Sequence, residues 1–504
     1  MNPEGRARSY KTTQLAHLTK QTNYIAVINR LMLIFSMSVG VRQLYRGLEK
    51  TQTHLVQSTE IATASICQHL FKLSYPYGVS RGERDYLIAN AVHDIMSIAI
   101  HGPITENWHY KTKQSKEITQ RIVRDSSSII ENILKDTKEY ASREARKIPE
   151  TFDQDVRDRF EGLVTGVAKK LMKKFEQPNR TITEITITNP QKHHEGRIDA
   201  ILEFSNGYGL LDWKSYDIKK ANGSGKERWQ LISNILLSNY RYTGDEDDWS
   251  KFRFASIVYH GGAYMPRLPI QEKHIGKIKE DRLFSYRTLC GEKVYAQKPK
   301  FCPVCDTNAE GCSDCRFYRE DARMAFAGEL PDNYRRITGQ LFGNRYKVLE
   351  ERAETHRHKY VTSTMIEAYG ERTAIDELQK YGIIHTGYKF VSADDTMVLF
   401  RKDDDETFLE PKKILRVIGK EENIPLLSCV SEQAAVMTVE YCDLILNFRS
   451  KATVERAKLQ LFNLPLIMIR DEINLTRRML EPLHKFHRLA ADVLIRKECY
   501  DDLR

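Results

Sequence analysis

Two adjacent apolar segments predict a β-hairpin around which the rest of this chain must fold. Their sequences are GRIDAILEF (196–204) and GLLDWKSYD (209–217), and Ser205, Asn206 and Gly207 lie between them. Small polar residues followed by glycine favour a tight turn at such a position. The sequence therefore predicts two antiparallel strands, with further strands before and after them in the same sheet.

The polar side chains of this hairpin are expected to gather on one side of it. Because successive side chains of a strand point to opposite faces, Asp212 and Lys214 share one face and Trp213 points away from it. On the first strand, Asp199 shares a face with Arg197 and Ile201. Two facing carboxylates repel, and this arrangement is tolerated where a divalent cation lies between them. The pattern predicts a cation site on the hairpin.

Oxygen ligands of this kind suit Mg²⁺ or Mn²⁺, which keep several waters and also bind phosphate. Such a cation lowers the pKa of a bound water and stabilises charge on a phosphodiester in the transition state. Lys214 would orient the attacking water or stabilise the developing charge. The alternative is that Asp199 and Asp212 are surface carboxylates. The apolar strands around them argue against this, because an unpaired charge is costly there.

These residues resemble the core of the RecB-type branch of the PD-(D/E)xK nucleases, and other segments follow in the order of that family. They are ANAVHDIM (89–96) with His93, ITEITIT (182–188) with Glu184, ERWQLISNILL (227–237) with Gln230, and FASIVYHGG (254–262). The resemblance covers about residues 60–320. It implies a restriction-endonuclease-like mixed α/β sheet flanked by helices.

The resemblance also implies a role for each site residue. The implied ligands of Mg²⁺ or Mn²⁺ are Asp199, Asp212, His93, Glu184 and the carbonyl oxygen of Trp213. Lys214 would assist the attacking water, and Gln230 would position the substrate or Lys214. The family often has a tyrosine four residues after this glutamine, where this chain has Asn234.

Four of the nine cysteines form a cysteine motif within KFCPVCDTNAEGCSDCRFY. They are Cys302, Cys305, Cys312 and Cys315, which make two C-x-x-C pairs separated by six residues. Without a secretory signal, this spacing favours metal binding over disulfides. Four thiolates in two pairs suit a tetrahedral zinc site.

A [4Fe–4S] cluster is the second interpretation of the cysteine motif, and the resemblance implies it. Iron–sulfur members of the RecB-type branch, such as the CRISPR-associated adaptation exonucleases and AddB-like nuclease domains, carry a cysteine ahead of the histidine helix. Cys67 stands at that place here. Cys302, Cys305 and Cys312 would then complete the cluster, while Cys315 departs from the family pattern and Cys290 is another candidate.

The chain is expected to contain three parts. Residues 1–57 form an N-terminal helical segment, residues 58–320 a nuclease domain with helices across 110–176, and residues 321–504 a C-terminal α/β domain of unknown role. In this last part, 386–402 predicts a hairpin that turns at Asp394–Asp395. The later apolar segments 424–430, 442–448 and 465–469 alternate with predicted helices at 431–441 and 452–463. This alternation predicts a βαβ unit with a parallel sheet.

The net charge of +10 and the pI near 8.9 fit a polyanionic partner. A basic cluster contributes to it, formed by Lys169, Lys170, Lys173, Lys174 and Arg180. The cluster would either line a path for a phosphate backbone or form the solvated end of a helix. The apolar run Leu31–Val41 has 11 residues and is too short to span a bilayer, so we expect a cytoplasmic protein without a membrane partner.

These observations together predict a divalent-metal-dependent DNA nuclease. The resemblance implies an exonuclease that acts on single-stranded DNA ends in DNA repair, recombination or CRISPR adaptation. One alternative is a non-catalytic nucleic-acid-binding protein that carries a zinc or iron–sulfur module. Another is that the C-terminal domain senses a nucleotide or a protein partner and controls the nuclease.

Overall fold

The computed structural model describes residues 54–68, 71, 86–110, 112–143, 146–217, 225–266, 269–290, 294, 301–302, 307–308, 358–402, 409, 411, 413–440 and 442–470. Residues 1–53 of the predicted N-terminal helical segment lie outside the described residues. Its expected last two residues, Val56 and Gln57, instead form a short strand.

The first half of the described chain is helical and then forms a sheet. The first elements are β1 (Val56–Gln57), α1 (Ser58–Ile66), α2 (Tyr86–Ala99), α3 (Pro103–Glu106), α4 (Ser115–Asp125), α5 (Ser127–Arg143) and α6 (Phe152–Lys170). The sheet and its helices follow as β2 (Arg180–Asn189), β3 (His194–Phe204), β4 (Gly207–Asp217), α7 (Lys226–Thr243), β5 (Phe252–His260), β6 (Gly262–Tyr264) and α8 (Glu272–Leu289). The predicted helices across 110–176 and the predicted hairpin are confirmed.

Strand β3 is the centre of a mixed six-stranded sheet. One edge of β3 pairs with β2 in antiparallel fashion along its whole length. The other edge pairs with β4, antiparallel, and with β1, parallel. Strand β4 also pairs in parallel with β5, because α7 carries the chain back across the sheet between them.

Helices cover both faces of this sheet. On one face, Val92 of α2 and Phe160 of α6 pack in a core with Trp213 of β4. On the other face, Leu231 and Ile235 of α7 pack in a second core. The sheet is therefore the middle layer of three, which explains the strongly apolar character of its strands.

The side-chain alternation predicted for β3 is wrong at one point. Ile198 and Ile201 pack in the same core although they are three residues apart. Ile182 and Ile185 of the paired strand β2 do the same. A strict period of two would send such residues to opposite faces, so the alternation slips once in both strands. The slip lies at Glu184 and Asp199.

The second half of the described chain forms a seven-stranded sheet in which every pair is antiparallel. Residues 358–369 are helical and precede it, and two short paired strands, β7 (Phe301–Cys302) and β8 (Thr307–Asn308), come earlier in the chain. Its elements are α9 (Glu371–Lys380), β9 (Ile384–Thr386), β10 (Tyr388–Asp394), β11 (Met397–Lys402), β12 (Ile414–Gly419), β13 (Val430–Glu440), β14 (Asp443–Phe448), α10 (Lys451–Gln460) and β15 (Leu466–Arg470). The predicted hairpin at 386–402 is confirmed.

The predicted parallel βαβ unit is wrong. Residues 431–440 of the segment 431–441, which was expected to be a helix, lie in β13, and position 441 lies outside the described residues. The buried Ala434 pairs with Phe448 of β14 on one side and with Leu415 of β12 on the other. Tertiary pairing here overrides the helix propensity of its alanine and glutamate residues. The segment 424–430, expected to be a strand, contains a short 3₁₀ helix at Leu426–Ser428.

One helical stretch in the described part of the chain, Leu87–Ile104, is long and apolar enough to cross a membrane by length and composition alone. Half of that stretch is buried inside the protein. Ile95 and Met96 lie in the core beneath the first sheet, as in the core helix of a globular domain.

The two sheets are joined by a buried ion pair. The guanidinium of Arg241 on α7 donates to both carboxylate oxygens of Glu421, at 2.9 and 2.8 Å. Arg180 at the start of β2 donates to the same carboxylate at 2.6 Å, and the N–H of Val430 donates to it at 3.1 Å. Burial opposes the charge of Arg241, but the nearby acidic groups hold its pKa above the usual value.

Replacement of Glu421 by glutamine should lower the free energy of unfolding by about 3 kcal/mol, because it leaves the fully buried Arg241 guanidinium without a counter-charge. Urea denaturation followed by circular dichroism measures the loss. Glu422→Gln is the matched control, since the neighbouring Glu422 is exposed. Equal stability of the two variants would contradict the assigned role of the pair.

Stability should also depend on pH through His385 of β9, whose pKa burial lowers to about 4. The folded-state pKa is below the value of about 6.5 in the unfolded chain. The stabilising contribution of the neutral ring is therefore present above pH 6.5 and is lost as the pH falls towards 4. Between pH 7 and pH 5 this loss should amount to about 2 kcal/mol.

Urea denaturation at pH 7 and pH 5 tests this dependence, with the wild type compared with His385→Gln. The pH-dependent loss should be smaller in the variant by about the stated amount. The exposed His109 provides the matched control as His109→Gln, which should keep the wild-type pH dependence. An unchanged pH dependence in His385→Gln would count against this account.

Candidate metal and active site

Five of the residues predicted from the sequence come together where β3 and β4 separate. His93 lies on α2, Glu184 on β2, Asp199 on β3, and Asp212 and Lys214 on β4. Four separate elements thus contribute side chains to one place. All five side chains are largely buried, and the ring of His93 is the most exposed at 30%.

The separation of β3 and β4 creates the space for this group. Their ladder ends at Ala200 and Leu211, so Asp199 and Asp212 occupy the first positions beyond it. Beyond this point the N–H of Trp213 donates to Oδ2 of Asp199 at 2.8 Å. A side chain therefore satisfies a buried backbone donor that a strand would otherwise satisfy.

Glu184 reaches the site because its own backbone is unusual. Its φ of 54° lies in the left-handed region, which costs a residue with a side chain roughly 1–3 kcal/mol. This residue stands at the slip in the alternation of β2. Its Oε2 atom lies 2.5 Å from Nε of Arg197, which holds the carboxylate in place.

His93 lies between the two carboxylates. Its Nδ1 atom is 3.6 Å from Oε1 of Glu184 and 4.0 Å from Oδ1 of Asp199. The indole N–H of Trp213 donates to the same Nδ1 atom at 3.1 Å. Trp213 therefore contacts the site through its backbone and its ring, which fixes the relative position of β4 and α2.

Lys214 neutralises the second aspartate. Its Nζ atom lies 2.9 Å from Oδ1 and 2.8 Å from Oδ2 of Asp212. Burial opposes the lysine charge, but Asp212 and Asp199 outweigh it and hold the lysine pKa above its usual value. The lysine is therefore a permanent positive charge beside the carboxylates.

The pKa values of the two remaining carboxylates, Asp199 and Glu184, are shifted in opposite directions. Burial and repulsion from Asp212 raise the pKa of Asp199 to about 7. Burial would raise the pKa of Glu184 as well, but the charge of Arg197 and the contact with His93 lower it to about 2. One carboxylate is thus stably ionised, whereas the other is poised to exchange its proton for a cation near neutral pH.

The protonation of His93 is set by two opposing influences. Burial lowers the pKa of the ring, while Asp199 and Glu184 raise it above its usual value. The indole N–H of Trp213, however, needs an unprotonated Nδ1 atom to accept its hydrogen bond. This contact favours a neutral ring, whose Nδ1 lone pair accepts the indole N–H and would have to give up that hydrogen bond to bind a cation.

These groups fit a divalent cation. His93, Glu184 and Asp199 each offer a ligand atom, and these three atoms lie within 4.8 Å of one another. Oε1 of Glu184 is buried and accepts no hydrogen bond from any residue that the structure describes. Around an octahedral ion with ligands at about 2.1 Å, neighbouring ligands lie roughly 3 Å apart and opposite ligands roughly 4.2 Å apart. The two distances from His93, 3.6 and 4.0 Å, lie between these values, so small side-chain movements would bring the donors to an ion. The carboxylate oxygens suit Mn²⁺ and Mg²⁺, and the imidazole nitrogen beside them favours Mn²⁺ over the harder Mg²⁺.

One predicted participant, Gln230, is less closely associated with this centre. Gln230 is half-buried on α7, and no hydrogen bond in the described part of the chain joins it to Lys214 or to a site carboxylate. Glu227, which precedes it on α7, contributes a negative potential at Lys214 instead. The predicted role of Gln230 in positioning Lys214 therefore has no contact to support it.

The basic cluster lies at the other end of the sheet. Phe175, which follows the cluster lysines, stacks on Phe254, and Phe254 pairs in register with Gly209 beside the hairpin turn. Arg180 pairs with Glu203, four residues from Asp199, or about 13 Å along the strand. Its guanidinium is also occupied by Glu421. The four lysines are exposed at the end of α6, away from the cation ligands, and the phosphate path stays a prediction.

The cysteine predictions fall largely outside the described residues. Cys67 is buried and packs with Ile66 near Trp229. Cys302 is described only as part of a two-residue strand, which pairs with Thr307–Asn308. Cys305, Cys312 and Cys315 lie beyond the described part of the chain, so the zinc and iron–sulfur interpretations both stay predictions.

Several residues that shape the site were not found from the sequence. Gln460 and Arg456 of α10 contact the elements that carry Glu184 and His93, although they stand more than 270 residues further along the chain. No local pattern marks either of them, because a glutamine or an arginine on a helix is usually solvated. Arg197 could have been expected, since it shares a strand face with Asp199.

No protein-family model and no curated protein matches this chain. The chemistry of the site must therefore be inferred from its own side chains.

Replacement of Asp199 by asparagine should weaken Mn²⁺ binding by 10-fold or more, because it removes a charged ligand. The same change should raise the stability of metal-free protein by about 1–3 kcal/mol at pH 8, since it removes a buried charge that Asp212 repels. Titration calorimetry and urea denaturation measure the two effects. Asp158→Asn, on the exposed surface of α6, should change neither. A variant that is both less stable and equally able to bind Mn²⁺ would refute this assignment.

Proposed function

We propose that the protein is a divalent-metal-dependent DNA nuclease, a phosphodiester hydrolase. The observation that carries this proposal is the convergence of His93, Glu184 and Asp199 within 4.8 Å, beside the ion pair of Asp212 and Lys214. Buried carboxylates that repel one another destabilise a fold unless they bind a cation or act in catalysis. A permanent lysine charge at the same place suits an anionic substrate.

The residues around the cation can be given separate tasks. When bound, Mg²⁺ or Mn²⁺ would supply an acidified water and a positive charge next to the phosphate. His93, Glu184 and Asp199 would hold the ion, with Asp212 at the edge of the group. Lys214 would donate a hydrogen bond to a phosphate oxygen or to the attacking water as negative charge develops. The carbonyl of Trp213 is a further candidate ligand.

The order of elements supports a restriction-endonuclease-like fold. A helix (α6) is followed by three antiparallel strands (β2, β3 and β4), a crossing helix (α7) and a strand (β5) parallel to β4. This is the order that the resemblance to the RecB-type branch implies. Asp199, Asp212 and Lys214 lie on the two strands that the family uses for its own site.

The resemblance carries the finer parts of the proposal. It suggests that the substrate is a single-stranded DNA end, that the enzyme is an exonuclease, and that it acts in repair, recombination or CRISPR adaptation. The cytoplasmic location is a separate prediction from the sequence. The resemblance also suggests that Cys67 and the cysteine motif hold a [4Fe–4S] cluster, with Zn²⁺ as the alternative. The net charge of +10 is compatible with a nucleic-acid partner.

Replacement of Lys214 by methionine should reduce the cleavage rate by about 10²- to 10³-fold, because methionine has a similar length and no charge to stabilise the transition state. The assay follows end-labelled single-stranded DNA in Mn²⁺ on a denaturing gel. Lys135→Met is the matched control, since Lys135 of α5 is exposed and does not belong to the basic cluster. The control should cleave at the wild-type rate.

Two outcomes would reject the proposal. Equal cleavage by wild type and Lys214→Met would mean that the activity comes from another site or from a contaminant. DNA binding without cleavage in Mg²⁺, Mn²⁺ and other divalent metals would favour a non-catalytic nucleic-acid-binding protein built on the same fold.

A further inference from the structure

We infer that helix α10, which belongs to the second sheet, completes the metal site of the first, with Gln460 and Arg456 as positioning residues. This inference rests on the proposed function, because it concerns the same cation site. The C-terminal part of the chain would thereby position the cation ligands of the first sheet. Neither residue contacts a reacting group, and both act through the elements that carry the ligands.

Gln460 binds the backbone of β2 next to Glu184. Its Oε1 atom accepts from the N–H of Thr183 at 3.0 Å, and its Nε2 atom donates to the C=O of Thr183 at 3.0 Å. The side-chain amide thus satisfies both polar groups of one buried residue, as a neighbouring strand would. Gln460 itself is buried, so no water competes for these two bonds.

The position of this contact matters because of the residue that follows Thr183. Glu184 has the left-handed backbone that turns its carboxylate towards His93. Such a conformation persists only where the surrounding structure holds it. The two bonds from Gln460 hold the peptide groups on either side of Thr183. The Thr183 hydroxyl adds a third bond at 3.1 Å to the C=O of Ser97 on α2.

Arg456 lies one turn earlier on α10 and contacts the helix of the other ligand. Its Nη1 atom lies 3.4 Å from Oγ of Ser97 and 4.0 Å from Oδ1 of Asp94. Asp94 directly follows His93 on α2. The guanidinium is only 2% exposed and is anchored by Glu432 of β13, at 2.8 Å from Nε and 2.7 Å from Nη2.

One helix therefore contacts both ligand-bearing elements, β2 through Gln460 and α2 through Arg456. It joins them at the point where Glu184 and His93 approach to 3.6 Å. The second sheet supplies the rigid support for this helix, because Val454 and Ala457 are buried in its core.

The experiment measures Mn²⁺ affinity of the full chain by titration calorimetry and by the electron paramagnetic resonance signal of free Mn²⁺. Gln460→Ala removes both bonds to Thr183 and should weaken Mn²⁺ binding 10- to 100-fold, as is typical when a partner of a ligand is lost. Gln460→Glu keeps the acceptor for the Thr183 N–H and should lose less. Lys458→Ala on the exposed side of the same helix should bind as the wild type does.

A purely structural role would predict a different result. It would lower the melting temperature of Gln460→Ala and leave the affinity of the folded protein unchanged, and that result would overturn the inference. Near-ultraviolet circular dichroism confirms folding at the temperature of the titration. If Gln460→Ala does not fold, Gln460→Glu is the deciding variant. A several-fold loss of Mn²⁺ affinity in Gln460→Glu would support the inference, and wild-type affinity would overturn it.

The proposed function is tested separately by the wild type in the same titration. A wild type that binds no Mn²⁺ would reject the metal site itself and this inference with it. A wild type that binds Mn²⁺, together with a Gln460→Ala variant of equal affinity, would reject only the role of α10.

Discussion

The hydrogen bond from the Trp213 N–H to the Asp199 carboxylate is the interaction on which the site depends. A strand that leaves its neighbour exposes a backbone donor, and in a buried position that donor must find another acceptor. Asp199 is that acceptor, and the hydrogen bond holds its carboxylate inside the opening between the two strands. The separation of β4 from β3 therefore accounts both for the opening between the strands and for the carboxylate that lies within it.

Much of this arrangement could be predicted from local sequence. The apolar segments on either side of Ser205–Gly207 predict the hairpin, and a carboxylate and a lysine two residues apart on a strand must share a face. These are short-range rules, and they hold because β3 and β4 are neighbours both in the chain and in space. The convergence of His93 and Glu184 with them could be expected only from the resemblance.

The remaining features depend on contacts that no local rule describes. The left-handed backbone of Glu184 accompanies the slip in the alternation of β2 and β3, and nothing in ITEITIT predicts that backbone conformation. Likewise, β13 contains alanines and glutamates that favour a helix, and only its pairing with β12 and β14 makes it a strand. Gln460 is 277 residues from its partner Thr183.

Strands β1 and β4 pair with the same edge of β3 and leave a gap between them. It pairs with His194 and Glu195 on the edge of β3 that β4 also uses, and β4 begins its pairing at Ala200. Between these two partners, residues 196–199 of that edge pair with no strand in the described part of the chain. As far as the structure describes the chain, this edge of β3 therefore has an unpaired stretch at residues 196–199, with strand pairing on both sides of it. Because β3 is anchored on both sides of this opening, by β1 at one end and by β4 at the other, the opening exists without loosening the strand that carries Asp199.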